Sequence, residues 1–162
     1  MVGLRTQKKR RRQAKTDYKL RLNLLKSETA RIVIRRTNKY FIAQVTESHE
    51  SQDKVLMTVS SKDLIKNGWD EKMKGSLKSV PAGYLTGLLL AKKLDDKKYI
   101  VDLGMARTIP GNRIFSVIKG LVDGGAKISV NEKMFPSEER IRGEHLKEEV
   151  KTMTSKVAGK LK

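Results

Sequence analysis

The residues best suited to chemistry are two aspartates near the ends of predicted elements. Asp102 ends an apolar strand and Asp123 ends the helix that follows, so the pair could hold Mg²⁺ as nuclease carboxylates do. A nuclease needs a tighter group of acids, however, and Arg107 and Arg113 compete for Asp102. We expect Asp102 instead to order the 104–111 loop through hydrogen bonds or an ion pair.

Other catalytic and ligand-binding signatures are missing from the sequence. His145 beside Glu144 lies in a charged segment, where a surface histidine is the simpler interpretation. Neither GxxxxGK[ST] nor GxGxxG occurs, so no phosphate-cradling loop is predicted. The chain has no cysteine and 2 histidines, which excludes a disulfide framework and a thiolate or histidine metal site. We therefore predict no catalytic centre, no metal site and no cofactor.

Positive charge is the dominant chemical feature of the chain. Its 162 residues include 36 Lys and Arg against 18 Asp and Glu, for a net charge of +18. Ten basic residues and one acid fall within residues 1–26, which places half of the net charge there. Such a balance favours a polyanionic partner, and we expect that partner to be nucleic acid.

The most basic stretch is the N-terminal segment 5–15. It has too few apolar residues to fold alone and its like charges repel, so we expect it to be disordered until an anion neutralises it. A solvated tail or a nuclear-import-like cluster is the alternative, whereas the contiguous run 8–12 does not fit an amphipathic transit peptide. No apolar run approaches the roughly 20 residues needed to cross a bilayer, and no signal peptide is predicted, so we expect a cytosolic protein.

A helix and a small sheet are predicted after this segment. Thr16 or Asp17 can cap a helix that carries Tyr18, and this helix is either a phosphate clamp or an ordinary surface helix. Three segments rich in β-branched residues predict the strands of an antiparallel meander, at 31–36, 40–46 and 55–59. A tight turn at 37–39 joins the first two strands, and a polar loop at 47–53 joins the second to the third. Ile32 and Ile34 point one way, and Phe41, Ala43 and Val45 share one side of the next strand, so one face of the sheet is apolar and should carry helices. The other face carries Arg31 and Arg35. That face either binds RNA, which is read by shape, or is solvated.

The second half alternates helices and strands. The predicted helices are a short one at 61–67, a long one at 79–94 and one at 112–123, followed by two terminal helical segments at 138–145 and 148–162. The predicted strands are 99–103 and 126–130. Ser61, Ser79 and Asn112 are the predicted N-caps and Gly68 is a C-cap. The spacing of Gly83 and Gly87 favours close packing of the long helix on the sheet. A strand–helix–strand of this length predicts a right-handed crossover between parallel strands.

These elements predict a mixed α/β fold. An antiparallel meander is extended by a parallel β-α-β crossover, with helices mainly on one face and a basic N-terminal arm. We predict a flexible RNA-binding arm at residues 1–15, a single α/β domain at 16–147, and a weakly apolar C-terminal helical extension at 148–162 that frays. The residues predicted to contact RNA are cations and one tyrosine: Arg5, Lys8, Lys9, Arg10, Arg11, Arg12, Lys15, Tyr18, Arg21, Arg31, Arg35, Arg36, Arg107 and Arg113.

Short motifs spread over about four-fifths of the chain carry a family resemblance. In order they are Lys15-Thr16-Asp17-Tyr18, Arg21, Leu24-Leu25-Lys26-Ser27, Gly68-Trp69, Tyr84-Leu85-Thr86-Gly87-Leu88-Leu89, Asp102-Leu103-Gly104, Phe115 with Lys119-Gly120, Asp123-Gly124, Phe135-Pro136, Arg140-Ile141 and Gly143-Glu144-His145. Together they resemble archaeal-type ribosomal proteins of the universal L-eighteen family, whose eukaryotic counterpart is ribosomal protein L-five. Gly83 and Ser129-Val130 depart from the family pattern, at scaffold positions.

The resemblance implies a non-catalytic binder of 5S ribosomal RNA in the central protuberance of the large subunit. It also implies that the arm and the early helix meet both 5S rRNA and the large-subunit (23S-type) rRNA. Implied neighbours are other large-subunit proteins, including the second 5S-binding protein and, in archaea, one of the L-twenty-one-e type. No membrane and no small-molecule substrate are expected, and the location is the cytoplasmic ribosome. The residues alone also fit a second function, that of a non-ribosomal RNA chaperone or RNA-binding adaptor with a basic tail. A metal nuclease is the third function considered.

Overall fold

The computed structural model describes residues 6–50 and 52–161 as five strands and a set of helices. The strands are β1 (Arg31–Arg36), β2 (Phe41–His49), β3 (Gln52–Ser60), β4 (Lys98–Asp102) and β5 (Lys127–Ile128). The α-helices are α1 (Lys9–Arg12), α2 (Tyr18–Lys26), α3 (Val80–Ala91), α4 (Arg113–Asp123), α5 (Glu138–Arg142) and α6 (Glu148–Leu161). Short 3-10 helices cover Ser61–Asn67, Glu71–Lys78 and Glu132–Met134. The predicted mixed α/β fold is confirmed.

The strands form one sheet in the order β3-β2-β1-β4-β5. The first three strands pair antiparallel as the predicted meander, and β4 is parallel to both β1 and β5, so the crossover through α4 joins parallel strands. The prediction of a loop at 47–53 was wrong, because β2 and β3 extend through it to a turn at Glu50, where φ is 47°. Polar side chains pair across this extension, with Glu47 opposite Lys54 and Ser48 opposite Asp53.

The edge strand β3 carries a β-bulge. The pairing shifts between Val45 and Thr46, since Val45 faces Met57 and Thr46 faces Val55. Leu56 is therefore left without a partner opposite it, and its exposed fraction is 49%. A bulge of this kind bends the strand and strengthens its local twist.

The hydrophobic core lies on one face of the sheet. Alternate residues of β1 and β2 point into it, and Ile32, Ile34, Phe41 and Ala43 are fully buried there. Helices α3 and α4 cover this face and contribute many of the large apolar side chains, and Leu64, Trp69 and Leu77 from the segment before α3 add to them. The two-residue period of the strands thus predicted the buried face correctly.

Helix α3 packs most closely on α4, not on the sheet as predicted. A Cβ added to Gly87 would lie 2.1 Å from the carbonyl oxygen of Val117, and one added to Gly120 would lie 2.1 Å from the carbonyl oxygen of Tyr84. Gly83 also faces α4, where a Cβ would lie 2.3 Å from Ser116 Oγ. Nearly every residue of α3 is buried, so the helix has no polar face from which its partner could be predicted.

The helix caps follow the predictions with two corrections. The Ser79 hydroxyl accepts a hydrogen bond from Ala82 N–H, and Gly68 ends its helix in the left-handed region at φ 106°, as predicted. The N-cap of the Ser61–Asn67 helix is Ser60, because the Ser61 hydroxyl is buried and accepts a hydrogen bond from Phe41 N–H. Asn112 occupies the N-cap position of α4 but makes no side-chain cap bond there.

The C-terminal helix α6 packs against the domain along its length, where fraying was predicted. Val150, Thr154, Val157 and Leu161 form a buried stripe at spacings of three and four residues. Helix α6 contacts α3, α5 and the Ser61–Asn67 helix, and Val150, Val157 and Leu161 belong to the hydrophobic core. The spacing keeps the few apolar residues of this charged helix on one face, which is enough to dock it.

Candidate nucleic-acid interface

A basic groove opens where β1 ends beside the loop that follows β4. Four of the predicted RNA-contact residues line it: Lys15, Arg35, Arg36 and Arg107. The groove has a volume of about 570 Å³, and none of its lining residues is acidic. A concave surface whose charged residues are all cations concentrates positive potential and suits a polyanion.

Asp102 holds the floor of the basic groove in place. Its Oδ1 accepts hydrogen bonds from Gly104 N–H at 2.7 Å and from Arg35 Nη2 at 3.0 Å, while Arg35 Nη1 donates to the Asp102 carbonyl at 2.7 Å. The expected ordering of the loop by Asp102 is thus confirmed. The expected partners Arg107 and Arg113 were wrong, because the parallel pairing of β4 with β1 brings Arg35 to this carboxylate instead.

Gly104 is required at this point of the groove. Its φ is 60°, in the left-handed region, and a Cβ there would lie 2.9 Å from Arg35 Cζ. The absence of a side chain lets the guanidinium of Arg35 lie close to the backbone after β4. Because the Arg35 side chain is still 43% exposed, it can present its outer N–H groups to a ligand in the groove.

Arg31 does not reach the surface, so its placement in the RNA-contact set was wrong. Its side chain is 2% exposed, and its Nη2 donates to Asp53 Oδ1 and to Ser48 Oγ, each at 2.7 Å. Its Nη1 lies 3.8 Å from Asp102 Oδ2. The residue alternates onto the face away from the core, but two carboxylates and a hydroxyl enclose it there.

Arg21 is paired in the same network and thereby anchors α2 to the sheet. Its Nη2 lies 3.0 Å from Asp53 Oδ2. Arg21, Asp53, Arg31, Asp102 and Arg35 therefore form a continuous ion-pair chain from α2 to the basic groove.

Asp53 is the acid at the α2 end of this ion-pair chain. Burial alone would raise the pKa of Asp53, but the hydrogen bond from Ser48 and the guanidinium groups of Arg21 and Arg31 outweigh burial and hold that pKa below its usual value. The carboxylate therefore stays ionised between its two arginines at neutral pH.

Local contacts connect the N-terminal cations to the start of α2. Lys8 Nζ lies 4.6 Å from the centroid of the Tyr18 ring, and Arg10 Nε donates to Thr16 Oγ1 at 2.9 Å. Of the two predicted caps of α2, Thr16 and Asp17, the cap is Asp17, whose Oδ1 accepts from the N–H groups of the second and third residues after it. All four residues of α1 are exposed. Arg5 lies outside the described residues, and the expected disorder of segment 5–15 stays a prediction.

The remaining predicted cation and two residues that were missed lie near the groove. Arg113 is exposed at the first position of α4 but does not line the groove. Met105 and Ile109 do line it, and each is 54% exposed, on either side of Arg107 in sequence. The sequence signal for them was an apolar residue on each side of an arginine within a loop. Exposed apolar side chains beside cations can contact the sugars or bases between phosphates.

The described parts of the chain offer no metal centre. In residues 6–50 and 52–161, no group of three or more His, Cys, Asp or Glu side chains could hold an ion. Asp123 is engaged elsewhere, since it accepts from Lys119 Nζ at 2.8 Å and from Tyr84 Oη at 3.1 Å. Burial, together with this carboxylate, raises the pKa of Tyr84 to about 12. No helix within the described ranges is both long and apolar enough to cross a bilayer.

The fold and the basic groove define a class: a small basic α/β protein that presents clustered cations to a polyanion. Residues 3–100 match the family described as "Ribosomal large subunit proteins 60S L5, and 50S L18". Over 141 residues the chain is 41% identical to the large ribosomal subunit protein uL18 of Methanoregula boonei, and the aligned region covers 85% of this chain and 79% of that protein. The same protein of Korarchaeum cryptofilum is also 41% identical over 141 residues, or 85% of this chain and 70% of the relative. The chain belongs to this ribosomal protein family.

Family membership confirms the resemblance seen in the sequence. The protein has a structural role in the large ribosomal subunit, in the cytoplasm, and is not an enzyme. Its partners are ribosomal RNA and other ribosomal proteins.

Proposed function

We propose that the protein binds 5S rRNA and helps attach it to the large-subunit rRNA in the central protuberance. The observation that carries the proposal is the basic groove, where Lys15, Arg35, Arg36 and Arg107 converge with no carboxylate in the lining. The resemblance of the sequence motifs supplies the identity of the RNA, and the groove supplies a surface of matching charge.

The groove suits RNA because one of its cations, Arg35, is held in position before the ligand arrives. Arg35 is fixed by Asp102 and lies against Gly104, so little side-chain freedom is lost when a phosphate binds. Guanidinium groups form paired hydrogen bonds with phosphate oxygens, which fixes orientation as well as charge. Arg35 thus provides one fixed point of contact for the RNA backbone, and folded RNA is distinguished by the shape of that backbone.

The N-terminal cations extend this surface. We propose that residues 1–15 act as a flexible RNA-binding arm, that 16–147 is the 5S-binding domain, and that 148–162 is a helical extension. Lys8, Lys9, Arg10, Arg11 and Arg12 then follow the RNA backbone away from the groove. Neighbouring large-subunit proteins, including the second 5S-binding protein, complete the proposed set of partners.

Selectivity for 5S rRNA tests the proposal. The affinity of the full chain for a 5S rRNA transcript is measured by fluorescence anisotropy against a tRNA of similar charge, in the same salt. We expect tighter binding of 5S rRNA, whereas equal affinities would favour a general RNA chaperone.

A matched pair of variants tests the groove itself. Arg36→Gln with Arg107→Gln removes two groove cations, and Arg140→Gln with Arg142→Gln removes two exposed cations of α5. The slope of log K against log salt should become shallower by roughly 1.5 in the groove variant, at 0.7 to 0.9 per lost phosphate contact. It should change little in the α5 variant, and equal slopes would contradict the proposal.

A further inference from the structure

A second basic surface lies beyond the β1–β2 turn. The turn and the Glu71–Lys78 helix enclose a depression of about 290 Å³, lined by Asn38, Lys39, Tyr40, Lys74, Gly75 and Lys78. We call these six residues the lysine–tyrosine patch. None of them belongs to the RNA-contact set predicted from the sequence, and none is acidic.

The lysines of this patch are poorly neutralised. Across the two described ranges, Lys39 and Lys78 take part in no ion pair. Lys74 Nζ lies 3.4 Å from Glu71 Oε1, but the two side chains are 55% and 71% exposed, so the pair is weak. Lys62 Nζ lies 5.6 Å from the centroid of the Tyr40 ring and adds a fourth cation. The charge at this surface is therefore available to a ligand.

In the lysine–tyrosine patch, hydrogen bonds hold the backbone at the β1–β2 turn, and the backbone at Gly75 is accessible. Thr37 N–H donates to the Tyr40 carbonyl at 2.8 Å, and the Thr37 hydroxyl accepts from Tyr40 N–H at 2.9 Å, so the turn fixes Tyr40. A Cβ added to Gly75 would meet nothing within 4 Å. A ligand can thus approach the main chain at Gly75 while Tyr40 stays in place.

We propose that the lysine–tyrosine patch is a second RNA-contact surface. Lys39, Lys74 and Lys78 bind the phosphates of a looped or single-stranded segment, and Tyr40 packs against one of its bases. Lysines around an aromatic ring match this ligand because phosphate and base alternate along the strand. An acidic protein segment would use the lysines but does not supply a flat group at every residue, as a nucleic-acid strand does.

Continuity with the basic groove also favours RNA. Arg35 and Arg36 line the groove, and the chain then passes through Thr37 and Asn38 to Lys39 without an acidic residue. One RNA can therefore meet cations on both sides of the turn. The inference rests on the proposed function, since it requires an RNA-binding protein.

Matched lysine variants test the patch. The patch variant is Lys39→Gln, Lys74→Gln and Lys78→Gln; the control is Lys93→Gln, Lys133→Gln and Lys156→Gln, which removes equal charge from exposed sites elsewhere. Binding is measured across a salt series with two probes, a 5S rRNA transcript and deproteinised large-subunit rRNA. The patch variant should show a slope shallower by roughly 2 with at least one probe, which is about a hundredfold loss at 0.1 M salt relative to 1 M.

Each outcome decides either the patch or the function beneath it. A patch slope equal to the control slope with both probes would overturn the inference, as would binding of an oligoglutamate peptide that only the patch variant loses. If the groove variant lowers binding and the patch variant does not, the proposed function stands and the inference about the patch is wrong. If neither variant differs from its control, the proposed function itself fails.

A second measurement covers the case in which the patch variant does not fold. Ultraviolet cross-linking of the unaltered protein to the same two RNAs, followed by mass spectrometry, locates the contacted peptides. Adducts at Lys39–Tyr40 or at residues 74–78 support the patch. Adducts confined to the groove peptides overturn it.

Discussion

Replacing Asp102 by asparagine tests whether the ion-pair chain stabilises the fold. The change preserves the shape of the side chain and one acceptor, so Gly104 N–H keeps its partner. It removes the negative charge from between Arg31 and Arg35 and directs an amide N–H₂ toward one of them. Asp102 is 8% exposed, so water does not replace what is lost.

The expected cost can be worked from these contacts. Removing one member of a fully buried pair costs about 3–5 kcal/mol, because a charge is left unpaired. Here Arg31 keeps Asp53 and Ser48, and Arg35 is 43% exposed to solvent, so the loss should be smaller. We expect the free energy of unfolding to fall by about 2 kcal/mol, which for a chain of this size lowers Tm by about 4–8 °C.

Urea denaturation followed by circular dichroism measures the change, with Asp96→Asn as the matched control. Asp96 pairs with Lys127 at 2.8 Å, but the side chains are 81% and 59% exposed, so its loss should cost less than about 0.5 kcal/mol. Equal midpoints for the two variants would refute the reasoning. A changed denaturant slope would instead indicate that the compactness of one state had changed.

Three further expectations follow from other features. Deleting residues 1–14 should leave Tm almost unchanged and make the salt slope of RNA binding shallower by roughly 3, whereas a slope identical to that of the full chain would exclude the arm as a clamp. Gly87→Ala should lower the free energy of unfolding by about 3 kcal/mol in urea melts, since the methyl group meets the Val117 backbone, while Gly75→Ala should change it by less than about 0.5 kcal/mol. Because the pKa of Asp53 is lowered in the folded protein, its contribution to stability is complete above pH about 4 and is lost as pH falls through the folded pKa. Asp53→Asn should therefore reduce the loss of unfolding free energy at acid pH, measured by urea melts across a pH series. An unchanged dependence on pH would contradict this role of Asp53.

Local pattern was sufficient to predict most elements of this fold. Alternating β-branched residues located β1 and β2 with the correct buried face, and Asp17, Ser79 and Gly68 marked helix ends because capping depends on residues only a few positions apart. The partner of α3 was mispredicted because its sequence is apolar on all sides and glycine spacing indicates close approach without naming what approaches.

The interface was predictable in composition but not in arrangement. The sequence showed which residues are cationic, yet the groove exists only because β4 pairs in parallel with β1 and brings the loop beyond Asp102 to Arg35. Arg31 shows the opposite error. Strand alternation placed it correctly on the face away from the core, but its burial depends on Asp53 and Asp102, which reach it from two other strands.

The bulged outer edge of β3 has a consequence for the protein before it meets its partners. A strand at the end of a sheet offers unpaired N–H and C=O groups on which a second chain can add, and exposed Val55 and Leu56 make such addition favourable. The bulge and Lys54 oppose it locally, while mutual repulsion between chains of net charge +18 opposes it at a distance. Of these two protections, added salt weakens only the charge repulsion between chains, because salt screens it. We therefore expect free chains to remain monomeric in dilute buffer and to self-associate as ionic strength rises. Light scattering across a salt series would show this, and a monomer at every ionic strength would mean that the bulge alone protects the edge.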